Sequence, residues 1–292
     1  MIQRIIPRGH RRPHLGRSLV ALTGAALLLG ACTANPGGNS PTSSPSAGAG
    51  TPGAAAGAAG RLQAIKQAGV LRACTTGDYR PFTYLDPATK QWSGIDVAMA
   101  ENLAKRLKVR LELVQTSWSN LMPDFLAKCD IGVGGISISL ERAEQAAYSS
   151  ATLTEGKTPI TRCENVEKFD TVAEIDQPNV RSITPIGGTN EKFAAANYPQ
   201  GQIIRFADNN KIFDEILAGR ADVMTTDASE TKWVAHTKPG LCAVHPDQPF
   251  DFSQKAYLLP QGDVAFKQYV DQWLVIAEKD GTLANATKPW YG

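Results

Sequence analysis

Strand-like segments alternate with helix-like segments along most of this chain, and this order restricts its fold more than any other feature of the sequence. Residues 70–76, 109–113 and 131–136 are rich in β-branched residues or alternate between apolar and polar positions, as strands do. Between the first two, apolar side chains recur at helical spacing from Val97 to Leu107. A chain that repeats strand, helix and strand in this way is expected to form an α/β domain.

The same order begins again after residue 158. Further strands are expected at residues 180–186, 202–206 and 223–226. The amphipathic segment 264–279 has no strand–helix alternation after it, so we expect it to return to the first domain. The predicted organisation is a first lobe of residues 61–158 and 248–292 and a second lobe of residues 159–247. Two crossover segments would join these lobes around a cleft suited to a small ligand.

The first 31 residues have the pattern of a lipoprotein signal peptide. Five basic residues and no acidic ones precede Cys32, and the apolar stretch 19–29 is too short to span a membrane. The sequence Leu-Gly-Ala-Cys that ends at Cys32 resembles the lipobox of bacterial lipoproteins. This resemblance implies a lipid anchor at Cys32 on the outer face of the membrane or in the periplasm; an ordinary secretory signal is the alternative. Residues 32–60 are almost wholly small and polar, which is typical of a flexible tether.

The charge distribution argues against a nucleic-acid partner. The chain has a formal net charge of +2, but this value depends on the leader. Outside the leader, 25 basic residues stand against 28 acidic ones. A protein that binds nucleic acid usually carries a basic footprint, and this composition does not indicate one.

Four cysteines follow the tether, namely Cys74, Cys129, Cys163 and Cys242, and export would allow them to form disulfides. Cys74 falls late in one expected strand and Cys129 just before another. They would be poor partners if those strands run parallel and side by side. Cys163 and Cys242 are therefore the expected pair. No two cysteines have the spacing of a zinc site, so we expect no metal.

Two carboxylates three residues apart, Asp227 and Glu230, follow the expected strand at residues 223–226. In open α/β sheets, ligands bind at the carboxyl ends of the strands, which favours a site here. The same Asp-x-x-Glu spacing at the start of a helix also forms a capping box. The local pattern leaves both roles open.

Candidate anion-binding groups lie in both lobes. Thr189 and Asn190 follow two glycines at the start of a helix, where free backbone N–H groups can receive a carboxylate. Arg142 follows a strand end and could grip a carboxylate with two hydrogen bonds. Lys157 lies at the first crossover and could also reach an anion. Each residue also has an alternative role. Thr189 could be the N-cap after a plain glycine turn, Arg142 a solvated surface residue and Lys157 an exposed residue of the hinge.

Aromatic and polar side chains complete the expected binding set. Tyr79, Phe82 and Trp118 stand in loops after expected strands, where they could form the walls of a ligand site. Core packing is the alternative, above all for Phe82. Asp78 and Ser137 occupy the same strand ends and are added as polar ligand contacts.

These residues belong to a series of motifs that covers most of the folded chain. In order, they read Gly-Asp-Tyr-x-Pro-Phe, Gly-Ile-Asp-Val, Gly-Ile-Ser-Ile-x-x-x-Arg, Gly-Gly-Thr-Asn and Thr-Asp-Ala. The series resembles the periplasmic solute-binding proteins for polar amino acids. The resemblance implies the two-lobed type II periplasmic binding protein fold. It also implies a small-molecule ligand, with the residues that match Arg142 and Thr189 holding a carboxylate.

Longer runs, such as residues 187–193, 241–246 and 255–260, more closely resemble the cyclohexadienyl dehydratase branch of that family. This implies an exported lyase that needs no cofactor and removes water and carbon dioxide from prephenate or arogenate, with Glu230 as general acid. The alternative is a non-enzymatic amino-acid-binding lipoprotein that serves a transporter permease, in which Asp227 would hold an α-amino group. The lipobox, the long tether, Cys74 and Cys129 depart from the dehydratase pattern, and the lipid anchor that the lipobox implies favours that alternative. A sensory ligand-binding domain is a third possibility.

Overall fold

The computed structural model describes residues 60–291, which form an α/β structure. Its α-helices are α1 (Arg61–Ala68), α2 (Ile95–Leu107), α3 (Leu121–Lys128), α4 (Leu140–Ala143), α5 (Val172–Ile175), α6 (Gly188–Asn197), α7 (Asn209–Leu217), α8 (Ala228–Thr237), α9 (Val264–Lys279) and α10 (Thr282–Tyr291). Its strands are β1 (Val70–Thr75), β2 (Asp78–Tyr79), β3 (Thr83–Leu85), β4 (Trp92–Ser93), β5 (Arg110–Gln115), β6 (Ile131–Gly132), β7 (Ala146–Tyr148), β8 (Leu153–Glu155), β9 (Lys157–Arg162), β10 (Arg181–Pro185), β11 (Gln202–Phe206), β12 (Val223–Asp227), β13 (Leu241–Ala243), β14 (Ser253–Lys255) and β15 (Leu258–Pro260). A short 3₁₀ helix covers Cys163–Lys168.

The first five-stranded sheet has the order β5-β1-β6-β15-β7. Strand β1 is parallel to β5 and β6, because α2 and α3 carry the chain back between successive strands. Strand β15 returns from the far end of the chain and pairs antiparallel with β6 and β7. Helices α2 and α9 cover this sheet through buried side chains such as Met99, Leu103 and Phe266, which pack around Leu71.

The second five-stranded sheet has the order β11-β10-β12-β9-β13. Strand β10 is parallel to β11 and β12, whereas β9 is antiparallel to β12 and β13. Its core contains Ile160, Ile183 and Met224 from the strands and Ile212 and Trp233 from α7 and α8. All five residues of β12 are buried, so the strand passes through the middle of this half and ends at Asp227.

The chain passes between the two sheets at a short antiparallel pair, β8 with β14. Strand β8 leads from the first sheet towards β9, and β14 leads back towards β15. This arrangement confirms the predicted fold class, two α/β units connected by two crossings. The proposed lobe limits between residues 158 and 159 and between residues 247 and 248 stay a prediction.

Two elements differ from the sequence prediction. The strand expected at residues 131–136 ends at Gly132, because Gly134 and Gly135 adopt φ angles of 112° and 68°. Their N–H groups both donate to Oδ2 of the buried Asp96, at 3.0 and 2.7 Å, so this loop is fixed by a side chain instead of a neighbouring strand. Helix α10, near the end of the chain, was not predicted.

Two disulfides are present, and one of them corrects the sequence analysis. The bridge between Cys163 and Cys242 is the expected pair. Cys74 and Cys129, judged poor partners, are also bonded, with their Cα atoms 5.7 Å apart. The strand argument fails because Cys129 is the C-cap of α3 and not part of β6. Helix α3 packs on β1, so it brings Cys129 over the strand that carries Cys74.

The predicted signal peptide, the lipidation of Cys32 and the tether up to residue 59 lie outside the described residues. Within residues 60–291, no helix is long and apolar enough to cross a membrane. In the same part of the chain, no group of three or more His, Cys, Asp or Glu side chains is arranged to hold a metal ion.

Candidate functional site

Asp227 lies at the centre of a buried charge cluster between the two sheets. It is 2% exposed, and its Oδ1 accepts a hydrogen bond from Lys157 Nζ at 2.8 Å. Its Oδ2 accepts from Lys255 Nζ at 2.5 Å and from the hydroxyl of Tyr79. Burial acts to raise the pKa of Asp227, but the two ammonium groups outweigh it and hold the pKa below its ordinary value. Asp227 is therefore ionised at neutral pH.

The capping-box alternative for Asp227 is wrong. Asp227 is the N-cap residue of α8, but its side chain makes no capping hydrogen bond. Both carboxylate oxygens are instead bonded to side chains outside α8, those of Tyr79, Lys157 and Lys255. The strand–helix junction thus presents Asp227 to the cleft.

Glu230 lies one helical turn later and has a different environment. It is 1% exposed, and its oxygens accept from neutral groups, Asn209 Nδ2 at 2.9 Å and Thr226 Oγ1 at 2.7 Å. Burial raises the pKa of Glu230 to about 8; the two hydrogen bonds oppose that rise, and the charge of Asp227 adds to it. Glu230 therefore holds a proton at neutral pH and can donate it.

Lys157 and the start of α6 meet at the same place. Lys157 is 2% exposed, so the exposed-hinge alternative is wrong. Its Nζ also donates to Thr189 Oγ1 at 3.0 Å and to Asn190 Oδ1. Gly187 is the N-cap of α6 and Thr189 lies inside the helix, so Thr189 is not the capping residue. Burial lowers the pKa of Lys157, and the charge of Asp227 opposes this.

Ser137 and Arg142 belong to the part of the site that comes from the first half of the molecule. Ser137 Oγ accepts from Lys255 Nζ at 2.8 Å. Arg142 is 8% exposed, not solvated, and its guanidinium donates to the carbonyl oxygen of Ser137 at 2.9 Å. A positive group therefore lies behind the Ser137 backbone. The hydroxyl oxygens of Ser137 and Thr189 are 3.5 Å apart across the cleft.

The aromatic residues form one wall. Tyr79 packs edge-on to Trp118, with ring centroids 5.4 Å apart, and stacks on Phe82 at 5.6 Å. Phe82 is 5% exposed and packs against Ile95 behind Tyr79. Phe82 thus supports the wall by core packing, while Tyr79 and Trp118 face the cleft.

Asp78 lies at the Glu230 end of the site. Its backbone carbonyl accepts from Asn209 Nδ2, the nitrogen that also donates to Glu230. Burial raises the pKa of Asp78, and nearby Asp208 adds to the rise. Among residues 60–291, the buried oxygens Asp78 Oδ1 and Asn209 Oδ1 have no hydrogen-bond partner. This end can therefore accept hydrogen bonds from a ligand.

The space enclosed by these groups is small. A cavity of about 20 Å³ is lined by Tyr79, Trp118, Gly135, Ser137, Pro185, Gly187, Gly188, Thr189, Asn190 and Asp227. That volume is enough for a water molecule but not for a ring-sized ligand. The two halves must therefore separate to admit one.

The sequence analysis missed four residues of this site, Lys255, Glu155, Asn209 and Thr226. Lys255 is 1% exposed and lies beside Glu155, whose Oε1 is 3.6 Å from its Nζ. A lysine just before the apolar segment 256–259 was a usable signal, because a buried ammonium needs partners. Asn209 and Thr226 gave no such signal. Asn209 lies in an ordinary polar segment of the sequence, and Thr226 lies in an ordinary strand-like one.

This geometry, two halves that enclose a polar site, is that of a solute-binding protein. Residues 71–292 match the model of the bacterial extracellular solute-binding proteins, family 3, and the chain belongs to that family. The chain is 52% identical over 233 residues to the cyclohexadienyl dehydratase of Pseudomonas aeruginosa, in an alignment that covers 79% of this chain and 85% of that protein. It is 23% identical over 235 residues to the L-cystine-binding protein TcyJ of Escherichia coli, over 80% and 86% of the two chains.

Solved structures show the same relationship. The ancestral amino acid-binding protein AncCDT-1, described as a precursor of cyclohexadienyl dehydratase, matches with a TM-score of 0.73 at 30% identity, over 79% of this chain and 99% of its own. An ancestral cyclohexadienyl dehydratase, AncCDT-3, matches with a TM-score of 0.51 at 43% identity, over 80% and 97% of the two chains. The chain is thus similar both to a binding protein and to enzymes of one family.

Proposed function

We propose that this protein is an exported cyclohexadienyl dehydratase, a carbon–oxygen lyase acting on prephenate, arogenate or both. The products would be phenylpyruvate from prephenate and phenylalanine from arogenate. The observation that carries the proposal is Glu230, a buried carboxylic acid bonded to neutral groups and therefore protonated at neutral pH. The 52% identity to a cyclohexadienyl dehydratase supports it. A binding protein needs no proton donor at this position.

The proposed reaction needs a single proton from the protein. Glu230 donates it to the ring hydroxyl as the carbon–oxygen bond breaks, so the leaving group departs as water and not as hydroxide. The bond to the ring carboxylate then breaks, carbon dioxide leaves, and the electron pair completes the aromatic ring. Glu230 is left as a carboxylate and takes a new proton from solvent. No cofactor takes part in these steps.

The rest of the site would position the substrate. Its carboxylates would bind Lys157, Arg142 and the hydroxyl of Thr189; in the closed site, Lys157 Nζ donates to Thr189 Oγ1 and Arg142 donates to the Ser137 carbonyl. Its ring would lie against Tyr79 and Trp118.

The test compares the purified wild type with Glu230→Gln in the formation of phenylpyruvate from prephenate. We expect Glu230→Gln to lose at least about a hundredfold in kcat, the usual effect of removing a general acid. Glu101→Gln, at an exposed position of α2, is the matched control and should keep full activity. Wild-type protein that forms no phenylpyruvate above the spontaneous rate would refute the proposal.

A second candidate, an amino-acid-binding protein of a transport system, is supported by the 30% identity to an ancestral amino acid-binding protein. In that case Asp227 would hold an α-amino group and a permease would be the partner. A thermal-shift screen separates the two candidates. A large upward shift with one amino acid and none with prephenate would favour the binding protein.

We also propose that Cys32 carries a lipid that anchors the protein outside the cell. The basis is the lipobox-like sequence that ends at this residue. Cys32→Ser should release the protein from the membrane fraction, and retention of the variant there would contradict the anchor.

A further inference from the structure

Helix α10 is in contact with both halves of the molecule. Its Leu283 and Ala286 side chains pack against the core of the first sheet, where α10 lies on α2 and α9. Trp290, in the last turn, packs against the core of the second sheet, with its ring centroid 6.3 Å from that of Trp233 in α8. The Trp290 side chain also packs against the buried cluster that includes Tyr79. The end of α10 therefore connects α8 to the first half of the molecule.

The first turn of α8 is held from several sides. The backbone N–H and the hydroxyl of Ser229 donate to the two carboxylate oxygens of Glu155, at 2.7 and 3.1 Å. The carbonyl oxygen of Ser229 accepts a hydrogen bond from the Tyr291 hydroxyl at 3.3 Å, and Trp233, one turn later, packs on α10. Glu230 follows Ser229 directly, and residues three apart such as Glu230 and Trp233 lie on the same face of a helix. Contacts at Ser229 and Trp233 therefore fix the turn that carries Glu230.

A ligand in the closed cleft leaves these contacts in place. Among residues 60–291, the ten that line the cavity between the halves include none from α8 or α10. Because α10 packs mainly on the first half, separation of the halves moves α8 away from it, and closure restores the contact. The contacts of α10 with α8 thus belong to the closed arrangement, in which the proposed chemistry takes place.

The environment of Glu230 depends on the same packing. Burial is the largest cause of the raised pKa of Glu230. The titratable and charged groups that face it come from both halves, namely Asp78, Tyr79, Arg80, Asp227 and, from α10, Tyr291. If this turn of α8 moves away from the first half, water reaches Glu230 and its pKa falls towards the ordinary value of a glutamate. The carboxyl group also moves away from the substrate oxygen that it would protonate.

We infer that Trp290 and Tyr291 are positioning residues for the proposed proton donor, Glu230, and this inference rests on the dehydratase function proposed above. They hold the first turn of α8 against the first half each time the cleft closes. Trp290 has the larger part in this, because its ring packs on that of Trp233, whereas Tyr291 adds a single hydrogen bond. Both residues act through α8, since neither lines the cavity between the halves.

The experiment measures kcat and KM for prephenate at pH values below and above the pKa of Glu230, which is about 8. We expect Trp290→Ala to lower kcat at least about tenfold and to change KM less than about threefold, because the general acid is displaced while the cleft residues stay in place. The fall of kcat/KM at high pH should begin at a lower pH than in the wild type, because Glu230 is less buried.

Two further variants separate positioning from a general effect of substitution in α10. Trp290→Phe keeps an aromatic contact with Trp233, so its kcat should stay within about threefold of the wild-type value. Lys288→Ala is the matched control, because Lys288 is exposed on the same helix, and it should keep the wild-type kcat and pH dependence.

Tyr291→Phe covers the case in which Trp290→Ala does not fold, because it removes only one hydroxyl group. It should lower kcat about two- to fivefold and shift the pH dependence in the same direction. An unchanged kcat in Trp290→Ala and Tyr291→Phe, or a loss of kcat without a shift of the pH dependence, would overturn the positioning role and leave the proposed function intact. Wild-type protein that forms no phenylpyruvate would refute the proposed function, and the positioning role with it.

Discussion

Asp227 and Glu230 are three residues apart and almost fully buried, yet their carboxyl groups have opposite affinities for a proton. Burial raises the pKa of both. At Asp227 the ammonium groups of Lys157 and Lys255 reverse that effect, whereas Glu230 has only the neutral donors Asn209 and Thr226. Because the two pKa values are shifted in opposite directions, Asp227 is an anion and Glu230 is a proton donor at the same pH. This combination is suited to acid catalysis.

The proton affinity of Glu230 predicts the pH dependence of the reaction. The pKa of Glu230 is about 8, and only the protonated acid can donate, so kcat/KM should be high below that pH and fall above it. The fall should approach about tenfold for each pH unit. Initial rates with prephenate, corrected for spontaneous breakdown, test this. A kcat/KM that rises with pH across this range would contradict a general acid at Glu230.

At the scale of elements, the site depends on the junction between β12 and α8. The strand is fully buried and ends at Asp227, and the helix begins at the next residue, so Glu230 follows within the first turn. A second junction, between β10 and α6, brings Asn190 to Lys157. Both junctions lie in the second half of the molecule. Strand β14, which carries Lys255, comes from the crossing between the halves.

Helix α3 and strand β1 are joined by the disulfide that the sequence analysis did not expect. Cys74 and Cys129 are 55 residues apart, and closing a loop of that length stabilises the folded state by about 2–4 kcal/mol. We expect the double substitution Cys74→Ala and Cys129→Ala to lower the free energy of unfolding by that amount in urea denaturation. The Cys163→Ala and Cys242→Ala pair, with a separation of 79 residues, provides the comparison. An unchanged urea midpoint for the first pair would contradict a stabilising bridge.

At the scale of the whole molecule, the ligand site exists only where the two halves meet. Tyr79, Ser137 and Lys255 meet Thr189 and Asp227 across the cleft, and the enclosed space is too small for a ring. Opening and closing are therefore part of any binding or catalytic cycle. Closure brings the backbones very near each other at Gly187, where an added Cβ would lie 2.7 Å from the backbone nitrogen of Ser119.

Gly187→Ala should therefore hinder closure. Gly188→Ala is a matched control, because both glycines have φ near 80°, but a Cβ at Gly188 would lie 3.4 Å from Trp118, an ordinary contact. We expect Gly187→Ala to lower kcat/KM for prephenate at least about tenfold more than Gly188→Ala, since closure completes the site. Small-angle scattering with ligand should show a larger radius of gyration for Gly187→Ala alone. Equal effects of the two substitutions would mean that backbone strain, not closure, is responsible.

Local sequence patterns were sufficient to predict the fold class and the candidate residues at strand ends. Strand–helix alternation is a local pattern, and the carboxyl ends of strands are predictable positions, so the sequence alone indicated Tyr79, Ser137, Thr189 and Asp227. Apolar periodicity also set the limits of α9, which match the predicted segment 264–279. The family resemblance supplied the role proposed for Glu230.

Which groups meet in the site depends on the tertiary structure. Lys255 reaches Asp227 from 28 residues away, and Tyr79 reaches it from 148, contacts that no local pattern encodes. The bond between Cys74 and Cys129 likewise depends on how α3 packs over β1. Charge and proton affinity follow from burial and from neighbours, which are set by the packing of the two halves. The protonated state of Glu230 and the ionised state of Asp227 are therefore properties of the folded molecule.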